Sequence, residues 1–161
     1  MVAVAFPSLD FFQVLQREVA AERERFSRLG FFDTTFGVRV VQGGEPAEFT
    51  LAFEVFDCVR VADGIDPGVD FLIEGPLQAW KGMLDNIHEL GAADTEHSLN
   101  TLTHFGESLK VRYDDPDGHD KLYRFAESVQ EWLDLSGRVD FRYSDGTTPP
   151  APRDVPRRVA R

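Results

Sequence analysis

The chain has 161 residues with a single cysteine, and 28 acidic against 17 basic side chains give it a formal net charge of −11. So acidic a body repels phosphate backbones and anionic lipid surfaces, which argues against nucleic-acid partners and electrostatic membrane docking. One cysteine allows no intramolecular disulfide, no window approaches the ~18 apolar residues of a membrane span, and residues 1–7 lack the basic and apolar regions of a signal peptide. The expectation is a soluble cytoplasmic protein, with no stable membrane insertion and one domain rich enough in apolar residues (42%, including 14 phenylalanines) to bury a real core.

The first predicted element is a helix over residues 9–29. Ser8 is its N-cap and Gly30 its stop, and Leu9, Phe12, Leu15, Val19, Phe26 and Leu29 form an apolar stripe. From residue 33 to 64 the period falls to two. Phe36, Val38 and Val40 alternate with Thr35, Gly37 and Arg39, then Phe49, Leu51, Phe53 and Val55 share one face. A turn at Gly43-Gly44 and a bend near Phe56-Asp57 separate three antiparallel strands, the third over residues 58–62.

A buried strand over residues 69–74 comes next, followed by a helix opened by Pro76 at its first position, with Leu77, Trp80, Leu84 and Ile87 on one face and Gly91 at its end. Asp94 caps a short helical segment carrying Leu99, Leu102 and Phe105. Leu109, Val111 and Tyr113 alternate as a strand. Asp115-Pro116-Asp117-Gly118 turns the chain into a last helix that aligns Leu122, Phe125, Val129 and Trp132. This order predicts an α+β domain of helices packed on a mostly antiparallel sheet. Four prolines in residues 149–156, with four arginines against two aspartates in residues 144–161, predict a disordered, locally basic tail after a domain of residues 1–143.

The candidate chemical motifs are weak. His97 and His104 are seven residues apart, with Asp94 and Glu96 nearby, but a zinc site needs three or four converging ligands, so no metal is expected. If Gly118 took the sixth position of a calcium loop, Tyr113 and Arg124 would stand where carboxylates belong. Cys58 sits in a strand pattern with no histidine motif beside it and reads as a structural thiol. Gly43-Gly44 opens no phosphate-binding helix. Glu74, Glu107 and Asp114 read equally well as solvated strand ends. The aromatic stripes are the stronger signal, and periodicity leaves open whether their faces meet or leave a cavity.

Three segments carry a resemblance: Val69-Asp-Phe-Leu-Ile-Glu-Gly-Pro-Leu-Gln-Ala-Trp80, Leu99-Asn-Thr-Leu-Thr-His-Phe-Gly-Glu-Ser-Leu-Lys-Val111, and Lys121-Leu-Tyr-Arg-Phe-Ala-Glu-Ser-Val-Gln-Glu-Trp-Leu-Asp134. In this order, behind a helix and three strands, they resemble the sterol-carrier-protein-type-2 domain of bacterial single-domain proteins, over roughly residues 6–134. The resemblance implies a five-stranded, mostly antiparallel sheet covered by helices and enclosing a hydrophobic tunnel for sterols, fatty acids or fatty-acyl groups. It implies no catalytic residues and no cofactor.

The leading expectation is therefore non-catalytic binding or transport of a hydrophobic small molecule. Trp80, Leu84, Leu102, Phe105, Phe125 and Trp132 would line the site, with Asn100 and His104 as polar handles. One alternative is an enzyme or enzyme accessory acting on a lipid- or polyketide-like substrate, with His104 or Tyr123 as acid/base. Another is an interaction module, a homodimer that buries the aromatic helix faces.

Overall fold

Ser8 caps the first helix as its side chain allows: its hydroxyl accepts the Phe11 N–H at 3.1 Å, and α1 runs over Leu9–Ala21. In this computed structural model, which describes residues 3–104 and 108–153, the helix expected over residues 9–29 is broken at Glu22. There the backbone leaves helical geometry (φ −111°, ψ 33°), and α2 resumes over Arg23–Arg28. The break sits where side chains from two neighbouring elements take hold: Arg138 pairs with Glu18 and Glu22, and Arg25 of α2 pairs with Glu131.

The period-two region becomes β2 (Thr34–Val41), β3 (Ala47–Glu54) and β4 (Asp57–Asp63), joined as antiparallel neighbours. Gly44, at φ 103°, makes the first turn, as its lack of a Cβ allows. The second is a tight turn through Val55 at φ 64°, an uncommon conformation for a β-branched residue. Asp33 Oδ1 accepts the Val55 N–H at 3.0 Å and the Val55 carbonyl accepts the Phe32 N–H, so tertiary hydrogen bonds hold the turn that no Asn-Gly signals.

The chain then crosses to the far side of β2. There β5 (Phe71–Pro76) pairs with it in parallel, and β6 (Lys110–Arg112) completes an α+β, mostly antiparallel five-stranded sheet of order β4-β3-β2-β5-β6. Pro76 still pairs with Val41 in the sheet, so it caps the following helix from outside rather than occupying its first turn. The helices are α3 (Leu77–Leu90), α4 (Leu99–His104) and α5 (Pro116–Asp134). Asp94 caps a 3-10 turn over Thr95–His97 that precedes α4 instead of capping α4 itself.

Two strands carried no usable sequence signal. β1 (Val4–Phe6) and β7 (Phe141–Tyr143) pair in parallel as a separate ribbon, and at three residues each they are too short for a period to emerge. Residues 144–153, expected as part of a disordered tail, run beside α3. Lys81 Nζ bonds to Asp145 and to Thr147 (2.8 Å each), Arg153 Nε lies 2.7 Å from Glu89, and the Arg153 N–H reaches the Glu89 carbonyl at 2.8 Å. Each of these two charged side chains of the segment meets a charge of opposite sign on α3, and the Lys81 partner holds the Asp145 carboxyl down to about 2.

The core lies between the sheet and α1, α3 and α5. Phe12 stacks on Trp132 (5.8 Å between centroids) and meets Phe49 (4.7 Å), while Trp132 stands edge-on to Phe36 (5.4 Å) and Phe53 (6.2 Å). Each such pair adds about 0.5–1.5 kcal/mol beyond the area it buries. These five rings are all at most 3% exposed, so among the described residues this space is occupied by side chains. The expected enclosed tunnel is not seen among the described residues.

α5 is set on the sheet by a clip at its first turn. Asp70 accepts hydrogen bonds from Thr34 Oγ1 (2.7 Å), the Thr35 N–H (3.1 Å) and Lys121 Nζ (3.0 Å). Burial pushes its carboxyl up, but these three donors outweigh it and hold the group below the ordinary carboxylate range. Gly118 makes the approach possible, since a β-carbon there would overlap the Asp70 carbonyl oxygen. Gly118→Ala is expected to lower unfolding stability by at least about 2 kcal/mol in urea titration, the overpacking cost with no room to relax. Because the Asp70 pKa is depressed on folding, its contribution is present above the unfolded value, near 4, and is lost as pH falls through the folded value. Asp70→Asn should therefore melt below wild type at pH 7, with the gap closing as the pH is taken below about 4.

Candidate functional site

α4 is a six-residue helix whose first residue, Leu99, is buried, and it lies against the middle of α5. On α5, Leu122, Ala126 and Gln130 recur every four residues and form one row, with Tyr123 and Glu127 beside it. Between the two helices is a cleft of about 250 Å³, lined by Ser98, Leu99, Asn100, Thr103 and His104 from the α4 side and by these five residues from α5. Leu99, Leu122 and Ala126 make its floor. The polar groups sit at its rim.

Two rim features are ordered by hydrogen bonds. His104 Nε2 lies 2.8 Å from the Tyr123 hydroxyl, and its Nδ1 lies 3.0 Å from the Asn100 carbonyl, so the imidazole bridges α4 to α5. The second is Gln130, whose Oε1 accepts the Leu99 N–H at 2.7 Å while its Nε2 donates to Asp134 Oδ1 at 2.9 Å. The same Asp134 oxygen accepts the Ala93 N–H at 3.2 Å. Burial pushes the Asp134 carboxyl above its ordinary value. The Ala93 and Gln130 hydrogen bonds and Arg25 of α2 oppose the rise, and Glu131 adds to it.

The residues expected to line a site are divided by this geometry. Asn100 and His104 are on the rim of the cleft. Trp80, Leu84, Phe125 and Trp132 are core residues, at most 6% exposed, and none borders the cleft. Trp80 lies 6.4 Å from the Phe6 ring and Phe125 lies 5.7 Å from Phe32. Leu102 is half-buried on α4, packed against the core. Phe105 lies outside the described residues. The residues that sequence reasoning missed are Leu99, Leu122, Ala126 and Gln130 as cleft walls. The four-residue spacing on α5 was visible, but nothing local says that α4 packs across it.

Among the described residues, no three His, Cys, Asp or Glu side chains converge as a metal set. His97 pairs with Asp94 at 2.6 Å, and His88 Nδ1 donates to the Pro150 carbonyl at 2.6 Å. Cys58 is in β4, where burial pushes its thiol up to about 12, the opposite of what a nucleophile needs. Glu74, weighed as one of a carboxylate pair, is instead taken up by Arg39 (2.6 Å) and Arg112 (2.9 Å). No helix among the described residues is long and apolar enough to cross a membrane.

No protein-family model matches the sequence, and no curated protein matches it. Solved structures do match in three dimensions. Sterol carrier protein 2 is similar with a TM-score of 0.63 at 13% identity, over 81% of this chain and 95% of its own. A conserved hypothetical protein of Thermus thermophilus, named as a candidate sterol carrier protein, is similar with a TM-score of 0.57 at 14% identity, over 93% of this chain and 99% of its own. At these identities the likeness speaks to architecture, and the chain has the fold of sterol carrier protein 2.

Proposed function

We propose that the protein binds or carries a hydrophobic small molecule without transforming it, in the cleft between α4 and α5. The observation that carries this reading is an apolar floor of Leu99, Leu122 and Ala126 under a rim of hydrogen-bonding side chains, the composition expected of a small-molecule site. The fold it shares with sterol carrier protein 2 supports the same class of ligand. Size narrows the class. At roughly 30 Å³ for a methylene-sized unit, about the liquid volume of one water, a cleft of about 250 Å³ takes on the order of eight methylenes. That suits part of a fatty-acyl chain better than a whole sterol skeleton, with the polar end at Asn100, His104 and Tyr123. In this reading residues 1–143 are the lipid-binding unit, residues 144–161 are an extension of it, and the protein works in the cytoplasm.

A second reading, an enzyme or enzyme accessory for a lipid- or polyketide-like substrate, is favoured by one observation, the 2.8 Å His104–Tyr123 contact at the rim. Hydrolysis of p-nitrophenyl octanoate that disappears in both His104→Gln and Tyr123→Phe would support it. The binding reading is tested by titrating cis-parinaric acid into wild type and Ala126→Trp, which fills the cleft. Saturable micromolar binding is expected in wild type, weakened at least tenfold in the variant with the melting temperature within a few degrees. Equal binding by both proteins, or none by either, overturns the reading.

A further inference from the structure

Gln130 and Asp134 stand one helical turn apart on α5, yet only Gln130 borders the cleft. A side-chain amide can face either way, with its oxygen or its nitrogen toward a given neighbour. At this position the choice matters, because the partly buried Leu99 N–H at the start of α4 needs an acceptor and would face two donor hydrogens if the amide were reversed. What selects the orientation is the group on the other side. Asp134 Oδ1 only accepts, so it draws the Gln130 NH2 at 2.9 Å and leaves the amide oxygen to Leu99 at 2.7 Å. The same oxygen is held in place by the Ala93 N–H at 3.2 Å, from the segment that links α3 to α4.

We propose that Asp134 is the positioning residue of the cleft: through Gln130 it fixes α4 at the spacing from α5 that admits a ligand. This rests on the binding reading for its consequence but not for its geometry. Asp134 is 8% exposed and touches no cleft space, so its effect on a ligand passes through the amide. Among the described residues, the other ties of α4 are the buried Leu99 and half-buried Leu102 side chains, the Leu109 N–H to the Leu102 carbonyl at 3.2 Å, the Thr101 hydroxyl to the Thr95 carbonyl at 2.6 Å, and the exposed His104–Tyr123 bond. A six-residue helix opens locally at low cost, and a hydrogen bond at its first turn bears on how often. The charged groups that face Asp134, Glu131 of its own helix and Arg25 of α2, are paired with each other and leave the Ala93 and Gln130 donors as its bonding partners.

The test is amide hydrogen exchange in the full chain, read at Leu99 and at Val129 within α5, for wild type, Gln130→Ala, Asp134→Ala and Asp134→Asn. Asparagine keeps an acceptor oxygen where Asp134 Oδ1 stands. The expected result is Leu99 exchange at least tenfold faster in Gln130→Ala and Asp134→Ala, wild-type exchange in Asp134→Asn, and Val129 within twofold throughout. Cis-parinaric acid should follow the same order, bound several-fold more weakly by the two alanine variants only. Leu99 exchange unchanged in Gln130→Ala, or Asp134→Asn opening as far as Asp134→Ala, overturns the proposal. Gln130→Ala keeps the test decisive should Asp134→Ala fail to fold. If wild type binds no cis-parinaric acid, the binding reading fails while the exchange rates still decide the relay.

Discussion

The position of α5 depends on Trp132. Its indole fills the space over the centre of the sheet, flat against Phe12 and edge-on to Phe36 and Phe53, and this fixes the helix in rotation as well as in distance. Once Trp132, Val129 and Phe125 are committed to the core, the row Leu122, Ala126 and Gln130 is left for α4. The clip at Asp70 and Gly118 then sets the other end of the same helix. The cleft is thus a by-product of how tightly the aromatic layer packs. A loosely packed layer would let α5 roll and change the floor of the site.

Most of the architecture was legible because it rests on period. The three alternating strands, the helix start after Asp115, and the Gly91 stop all follow from side-chain chemistry that acts within a few residues. The misreadings share a cause, which is that a distant element intervened. Glu22 breaks a continuous apolar stripe beside charges from Arg138 and Glu131, and Val55 adopts a left-handed turn because Asp33 and Phe32 hold it there. β1 and β7 are legible only as a pair. Residues 144–153 have no period, yet they are ordered by Lys81 and Glu89 across the chain.

The site was harder to read for a reason that its residue types make plain. Large aromatic side chains at helical spacing are equally good at filling a core and at walling a cavity, and here Trp80 and Trp132 fill it. The residues around the cleft are smaller and more ordinary. Ala126 matters because it is small, Gln130 because its amide is held in one sense, and His104 because an exposed ring bridges two helices. None of these roles can be assigned before the α4–α5 contact is known. Of the residues expected to line a site, Asn100 and His104 stand on the rim of this cleft.

The β1–β7 ribbon joins Val4 to Phe141 and Phe6 to Tyr143, strands separated by nearly the whole described chain. Phe6 lies within 6.4 Å of the Phe11, Trp80, Phe141 and Tyr143 rings, so it links the first helix to the last strand. A chain emerging from the ribosome cannot make this ribbon until β7 has been synthesised. Until then Phe6 and Phe11 lack their Phe141 and Tyr143 partners, and the apolar end of α1 stays open to water or to a chaperone. The sheet can form early from neighbouring strands, whereas closure of this corner waits for the last strand to arrive.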